Sequence, residues 1–158
     1  MKLSIVTTLY FSEKFIPEFY RRSALVAEEI TKDFELIFVN DGSPDNSLNV
    51  LMELIKVDKR IKIINLSRNF GHHKAIMTGL QYASGEYVFL IDSDLEEAPE
   101  LLSDFWKTLI EDDKVDVVYG VQETRKGKLF ERISGKLFYK VFNYFSDIKI
   151  TESLVTVR

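Results

Sequence analysis

The chain has 158 residues, 21 basic and 25 acidic side chains, a formal net charge of −4, no cysteine and 46% hydrophobic residues. One domain, or most of one, of this length buries roughly 68–70% of the surface its unfolded chain exposes, so it needs no disulfide or Cys-based zinc site, and both are excluded. The hydrophobic share excludes intrinsic disorder, and the mild acidity excludes a protein that coats nucleic acid, so no nucleic-acid partner is expected.

In chain order, a β-branched apolar run at 3–9 (LSIVTTL) predicts a strand, and the amphipathic stretch at 14–31 a helix. A second strand at 35–40 (ELIFVN) precedes a helix at about 45–57 with Ser43 or Asp45 available as its cap. The third strand, IKIINL at 61–66, leads through Gly71 to a helix at 72–83. The fourth, EYVFLID at 86–92, leads to a helix at 99–112 that has Pro99 early, where proline is tolerated. A fifth strand is expected for VDVVYG at 115–120, then a loop (VQETRKGK) and an aromatic helix within about 121–146. Strand and helix alternating four times predict an α/β fold, a Rossmann-like, mostly parallel sheet with helices on both faces.

No stretch approaches the roughly 18–20 apolar residues that cross a bilayer, and MKLSIVTTLYFSE has too short an apolar run for a signal peptide, so a cytoplasmic location is expected. SLVTVR at the end reads as a strand with no turn signal behind it, which suggests a chain truncated at its C-terminus.

Ligands of such sheets sit beyond the carboxyl ends of the strands, and there the polar residues collect. In an extended YVFLIDSDLEE, alternate residues share a face, so Asp92, Asp94 and Glu96 would aim three carboxylates at one point. Mg²⁺ or Mn²⁺ would relieve their repulsion and hold a diphosphate; the alternative is a solvated acidic loop at a helix start. NDGSPDNS is ordinary turn and cap chemistry by itself, yet its place at a strand end would let Asp41 accept N–H donors from a nucleobase. In SRNFGHHKA, Gly71 either turns the chain into a helix or lets a ligand approach the backbone. His72 and His73 diverge by about 100° on a helix, make poor joint metal ligands, and read as exposed or edge histidines. Residues 125–140 hold Arg125, Lys126, Lys128, Arg132, Lys136 and Lys140 against Glu131 alone. That segment is open to three readings: a solvated face, phosphate recognition, or contact with a second copy of the chain.

Four segments in register, FELIFVNDGSPDNS, IKIINLSRNFGHHKAIMTGLQYASGEYVFLIDSDLEEAPEL, VDVVYG and VQETRKG, resemble the catalytic domain of glycosyltransferase family 2, with the GT-A fold, and within it the polyprenyl-phosphate (dolichol-phosphate) sugar transferases. The resemblance implies a nucleotide-sugar-binding part at about 1–120, a UDP- or GDP-sugar donor and a divalent metal. It implies Asp94 on the metal, Asp92 near the ribose and metal-bound water, and Asp41 on the base. Tyr10 and Glu13 match positions lining the nucleotide pocket, Asn69, Gly71 and Lys74 fall beside base and ribose, and Arg125 falls in a loop facing the donor diphosphate or lipid phosphate. The family commonly has proline at Thr8, asparagine at Phe11, aspartate at Asn40 and glutamine at Glu96. A third carboxylate at Glu96 should bind a divalent ion at least as well as an amide.

The expected reaction is inverting sugar transfer to an anionic acceptor, a lipid phosphate that needs no base to activate it, within cell-wall or polysaccharide biosynthesis at the inner face of the cell membrane. The competing readings are transfer to a saccharide hydroxyl, which would need a carboxylate base, and a nucleotide-sugar-binding or regulatory domain without turnover. A nicotinamide dehydrogenase is rejected because YFSEKF, not G-x-G-x-x-G, follows the first strand.

Overall fold

The computed structural model describes residues 2–120. Four strands, β1 (Leu3–Leu9), β2 (Phe34–Asn40), β3 (Ile61–Asn65) and β4 (Tyr87–Leu90), alternate with four helices, α1 (Ile16–Ile30), α2 (Ser47–Val57), α3 (His72–Tyr82) and α4 (Leu101–Glu111). The strands form one parallel sheet in the order β3-β2-β1-β4. A parallel sheet is buried on both faces, and β2 is buried at every position.

Side-chain alternation distributes the helices. Val6, Ile37, Val39 and Leu90 form a cluster with Ala75 of α3, so α3 covers one face. Phe38 points the other way and meets Phe19 of α1 edge-on at 6.0 Å. On β4, Phe89 meets Phe105 of α4 at 6.0 Å and Tyr87 meets Trp106 at 5.1 Å. Burying an aliphatic or aromatic side chain in such layers stabilises by roughly 1.5–3 kcal/mol each.

At the amino ends of the strands the buried Glu35 carboxylate gathers Ser4 Oγ (2.6 Å), the Ser84 N–H (2.8 Å) and the Lys62 ammonium (2.7 Å). Burial alone would raise its pKa; these partners outweigh burial and hold it down to about 2.

Two expectations differ from the structure. VDVVYG at 115–120 forms no strand. Val117 is 64% exposed, and 116–118 line a cavity of about 330 Å³ with β4 and α4 instead of pairing with β4. A short apolar run becomes a strand only through pairing and burial, not through composition. The second difference is that β4 ends at Leu90, two residues early. Ile91 N–H still reaches Val6 O (3.2 Å), after which the chain turns, with Leu95 at φ 63°.

Successive strands run from β1 to β3 in one direction, then the chain returns to place β4 on the other side of β1. The crevice at the carboxyl end of β1 is therefore where this topology opens a ligand site.

Candidate functional site

The loop after β2 is bound to the loop after β3. Asp41 is only 3% exposed; its Oδ1 accepts the Phe70 N–H at 2.7 Å and its Oδ2 the Gly71 N–H at 3.0 Å. Asn40 Nδ2 donates to Asn65 Oδ1 (2.7 Å), and Asn40 Oδ1 accepts the Ser43 N–H (3.2 Å). The loops approach so closely at Gly42, φ 61°, that a Cβ there would lie 2.3 Å from the Arg68 carbonyl carbon. The result is a cavity of about 230 Å³ lined by Thr8, Leu9, Tyr10, Asp41, Asn69 and His72. Asp41 thus spends one lone pair of each oxygen on its own backbone and keeps the other pair of each. At Gly71 nothing lies within 4 Å of where a Cβ would stand, so this side of the loop is open to close approach.

A second cavity, about 200 Å³, adjoins the first and shares Thr8, Tyr10 and His72 with it; Ser12, Asp92, Ser93 and Asp94 complete it. The ends of β1 and β4 are fastened by the buried Ser93, whose Oγ lies 3.0 Å from Thr8 O and 3.2 Å from Ser12 Oγ. The Asp92 side chain is 28% exposed and Asp94 is exposed, so both carboxylates open on this cavity.

The extended alternation expected for 92–96 is not formed. Asp94 Oδ1 accepts the Glu96 N–H at 3.0 Å, which bends the segment into a turn, and Glu96 does not line the cavity. Among the described residues no group of three or more His, Cys, Asp or Glu side chains is placed to hold a metal. Two carboxylates on one cavity nevertheless fit Mg²⁺ or Mn²⁺, which bind through one or two carboxylates plus substrate phosphates rather than in an all-protein cage. The local field is strongly negative: burial, then the charges of Asp92, Asp94 and Glu96, raise the Glu97 carboxyl above its ordinary value.

Tyr10 and Phe11 form an exposed edge-on pair at the mouth, ring centroids 4.8 Å apart. Phe11 sits at φ 55°, a left-handed conformation that costs roughly 1–3 kcal/mol, and its N–H donates to Ser43 Oγ at 2.8 Å. Glu13, expected in the pocket, lines neither cavity. Its Oε2 accepts the Asn46 N–H (2.8 Å), while its own N–H donates to Asp45 Oδ2 (3.0 Å). The cap position of α2 is Asn46, not the expected Ser43 or Asp45, and its side chain makes no capping bond; Asp45, one residue earlier, instead accepts the Ser47 N–H on Oδ1 at 3.1 Å. Although burial raises the Asp45 carboxyl, hydrogen bonds from Ser47, Ser43 and Glu13 bring it down to about 2. Lys74 is exposed on α3 and lines neither cavity. Arg125 and the rest of the basic segment lie outside the described residues.

His73 stays off both cavities, as a diverging neighbour should, but His72 borders both. His72, Ser12 and Ser93 also line these cavities, which sequence reasoning did not anticipate. The signals were present: a hydroxyl between two aspartates, and a histidine directly after the glycine that opens α3.

Compared with known proteins, residues 4–156 match the family model described as glycosyl transferase family 2. The chain is 49% identical over 158 residues to a protein of Mycobacterium tuberculosis (strain CDC 1551 / Oshkosh) named "Putative glycosyltransferases", covering 100% of this chain and 46% of that one. The chain therefore spans less than half the length of that relative. Among solved structures, S. aureus TarS 1–349 in complex with UDP-GlcNAc superposes with a TM-score of 0.59 at 28% identity, over 80% of this chain and 39% of TarS. The mannosyltransferase PcManGT from Pyrobaculum calidifontis, in complex with GDP-Man and Mn²⁺, gives 0.62 at 18% identity over 84% of this chain and 38% of its own, a likeness of fold.

Proposed function

The chain belongs to glycosyl transferase family 2, and from that premise we propose that it transfers a sugar from a nucleotide-activated donor to a polyprenyl phosphate, with inversion at the anomeric carbon. Its α/β fold is of the GT-A type. The observation that carries the reading is the pair of adjoining cavities. They run from Asp41 and Asn69 to Asp92 and Asp94 across Thr8, Tyr10 and His72, the layout a nucleoside diphosphate needs, with its base at one end and its charge at the other. The UDP-GlcNAc bound by TarS supports a nucleotide-sugar donor.

In this mechanism the Asp41 carboxylate keeps the 68–71 loop closed under the base and has lone pairs left for base N–H donors. Exposed Tyr10 offers a ring to the base or ribose. Ser93 sets where Asp92 and Asp94 stand relative to β1. Those two carboxylates would hold Mg²⁺ or Mn²⁺, which when bound supplies positive charge against the diphosphate. The bond from C1 to the diphosphate oxygen breaks, an acceptor oxygen bonds to C1 from the opposite face, and nucleoside diphosphate leaves. A phosphate acceptor is already anionic at neutral pH, so this chain need supply no base. The basic run at 125–140 is the acceptor's complement in the sequence, with Arg125 proposed nearest the phosphates. We further propose the nucleotide-sugar-binding part at about 1–120 and the acceptor-facing part at about 121–146, working at the inner face of a membrane. Among the described residues no helix is long and apolar enough to cross one.

The test is a thermal-shift and calorimetric panel of UDP, GDP and their sugars, with and without Mn²⁺. At least one nucleoside diphosphate should bind in an Mn²⁺-dependent way, and Asp94→Ala should remove that dependence. Unchanged affinity in the variant would refute the metal assignment, and binding without release of nucleoside diphosphate would leave a binding domain rather than a transferase.

A further inference from the structure

We propose that His72 is a donor-positioning residue, its Nε2–H held toward the point where the ribose joins the diphosphate; this rests on the nucleotide-sugar reading above. His72 is the first residue of α3, and its side chain is 44% exposed. It stands on the wall common to both cavities, beside Thr8 and Tyr10. A nucleoside diphosphate with its base by Asp41 and Asn69 and its phosphates by Asp92 and Asp94 must cross this wall. The part that crosses is the ribose and first phosphoryl group, rich in hydrogen-bond acceptors.

The two ring nitrogens have different neighbours. Nδ1 lies 3.1 Å from Thr8 Oγ1, and Nε2 lies 3.7 Å from Asp92 Oδ1. With the Thr8 hydroxyl donating to Nδ1, the ring carries its proton on Nε2. At 3.7 Å the Nε2–H is beyond hydrogen-bond length from Asp92. The ring borders the acidic cavity on its Nε2 side, and a donor oxygen lying beside Asp92, rather than between it and the ring, would meet the Nε2–H. The Thr8 hydroxyl fixes the ring from the strand side.

The imidazole is set in place from both sides of the site. Asp41 binds the amides of Phe70 and Gly71, the two residues before His72, so base-side order passes directly into the ring's position. The same His72 faces Asp92 on the diphosphate side.

The experiment titrates the full 158-residue chain and its variants calorimetrically with GDP and with UDP, each with Mn²⁺. For whichever nucleotide binds, His72→Ala should weaken affinity about ten-fold, the worth of one hydrogen bond to a charged group. His72→Gln, which keeps an amide N–H donor and a carbonyl acceptor for Thr8, should recover to within about three-fold of the parent. Thr8→Val should fall between. The chain has two histidines, so ¹⁵N-histidine spectra taken with diamagnetic Mg²⁺, and His73→Gln as the assignment control, should show His72 protonated at Nε2 and its Nε2 signal moving when nucleotide is added. Parent-like affinity in His72→Ala, equal losses in the Ala and Gln variants, or an unmoved Nε2 signal would each overturn the proposal. If the parent binds neither nucleotide, the donor reading falls and this one with it. If the parent binds and Asp94→Ala does not, while His72→Ala binds normally, only the role of His72 falls.

Discussion

Asp41→Asn isolates the contact on which the base side of the site depends. The change is nearly isosteric, but the carboxylate at this 3% exposed position accepts two backbone N–H groups, at 2.7 and 3.0 Å, one on each oxygen. Asparagine has one acceptor oxygen, so one bond survives and the amide –NH₂ faces the other N–H. A hydrogen bond to a charged group contributes about 1.5–3 kcal/mol, and the surviving bond drops to a neutral one worth about 1 kcal/mol. The expected net loss is about 2–5 kcal/mol, a large share of the 5–15 kcal/mol typical of a whole domain. With m near 2 kcal/mol/M for urea, the midpoint should fall by about 1 M or more with m unchanged. The damage should also be local: amide exchange at Phe70 and Gly71 should speed up more than exchange in the β1–β2 core, where opening requires global unfolding. A midpoint within about 0.2 M of the parent, with protection of both amides intact, would refute the claim that Asp41 orders the loop ahead of α3.

Glu35 should make stability pH-dependent at acid pH. Its folded pKa, about 2, lies below the 4.5 it would otherwise have, so its contribution is complete above about 4.5 and fades as pH falls toward 2; urea midpoints of Glu35→Gln across that window should be flatter than those of the parent. Gly42→Ala should destabilise by roughly 2 kcal/mol or more, because the new Cβ meets Arg68 backbone rather than a side chain that can move and because φ is 61°, and calorimetric melting would show it. Ser93→Ala removes a buried hydroxyl that joins the ends of β1 and β4; it should cost about 1 kcal/mol in unfolding and weaken Mn²⁺-dependent nucleoside diphosphate binding, and an affinity equal to the parent's would show that Ser93 does not position its flanking aspartates.

The fold was legible where local pattern and burial agree. β1 and β2 lie in a sheet buried on both faces, so every residue of FELIFVN pushes the same way and its apolar run declares itself. VDVVYG is also rich in β-branched residues but forms no strand among the described residues, and pairing is a non-local fact that composition does not encode. The site divides in the same manner. Asp41, Asp92 and Asp94 follow strands, and parallel topology delivers strand ends to one edge, so a reading of strand order reaches them. What that reading extrapolated wrongly was geometry past the last paired residue: once β4 stops at Leu90, period-two alternation has no ladder to enforce it, and Asp94 closes a turn on the Glu96 N–H. Glu13 lies outside both cavities for a related reason, since a carboxylate near a strand end is equally suited to an orphan N–H at a helix start, and Asn46 offers one. The spacing of His72 and His73 speaks only to whether they could share a metal, not to where either ring stands. Adjacent helix residues diverge, which correctly ruled out the pair, but the same divergence sends one of the two toward the sheet edge. The partner that gives that ring a direction, Thr8, is 64 residues away on β1. Its presence at the end of the neighbouring strand was readable; that its hydroxyl would meet an imidazole from α3 required the loop held by Asp41.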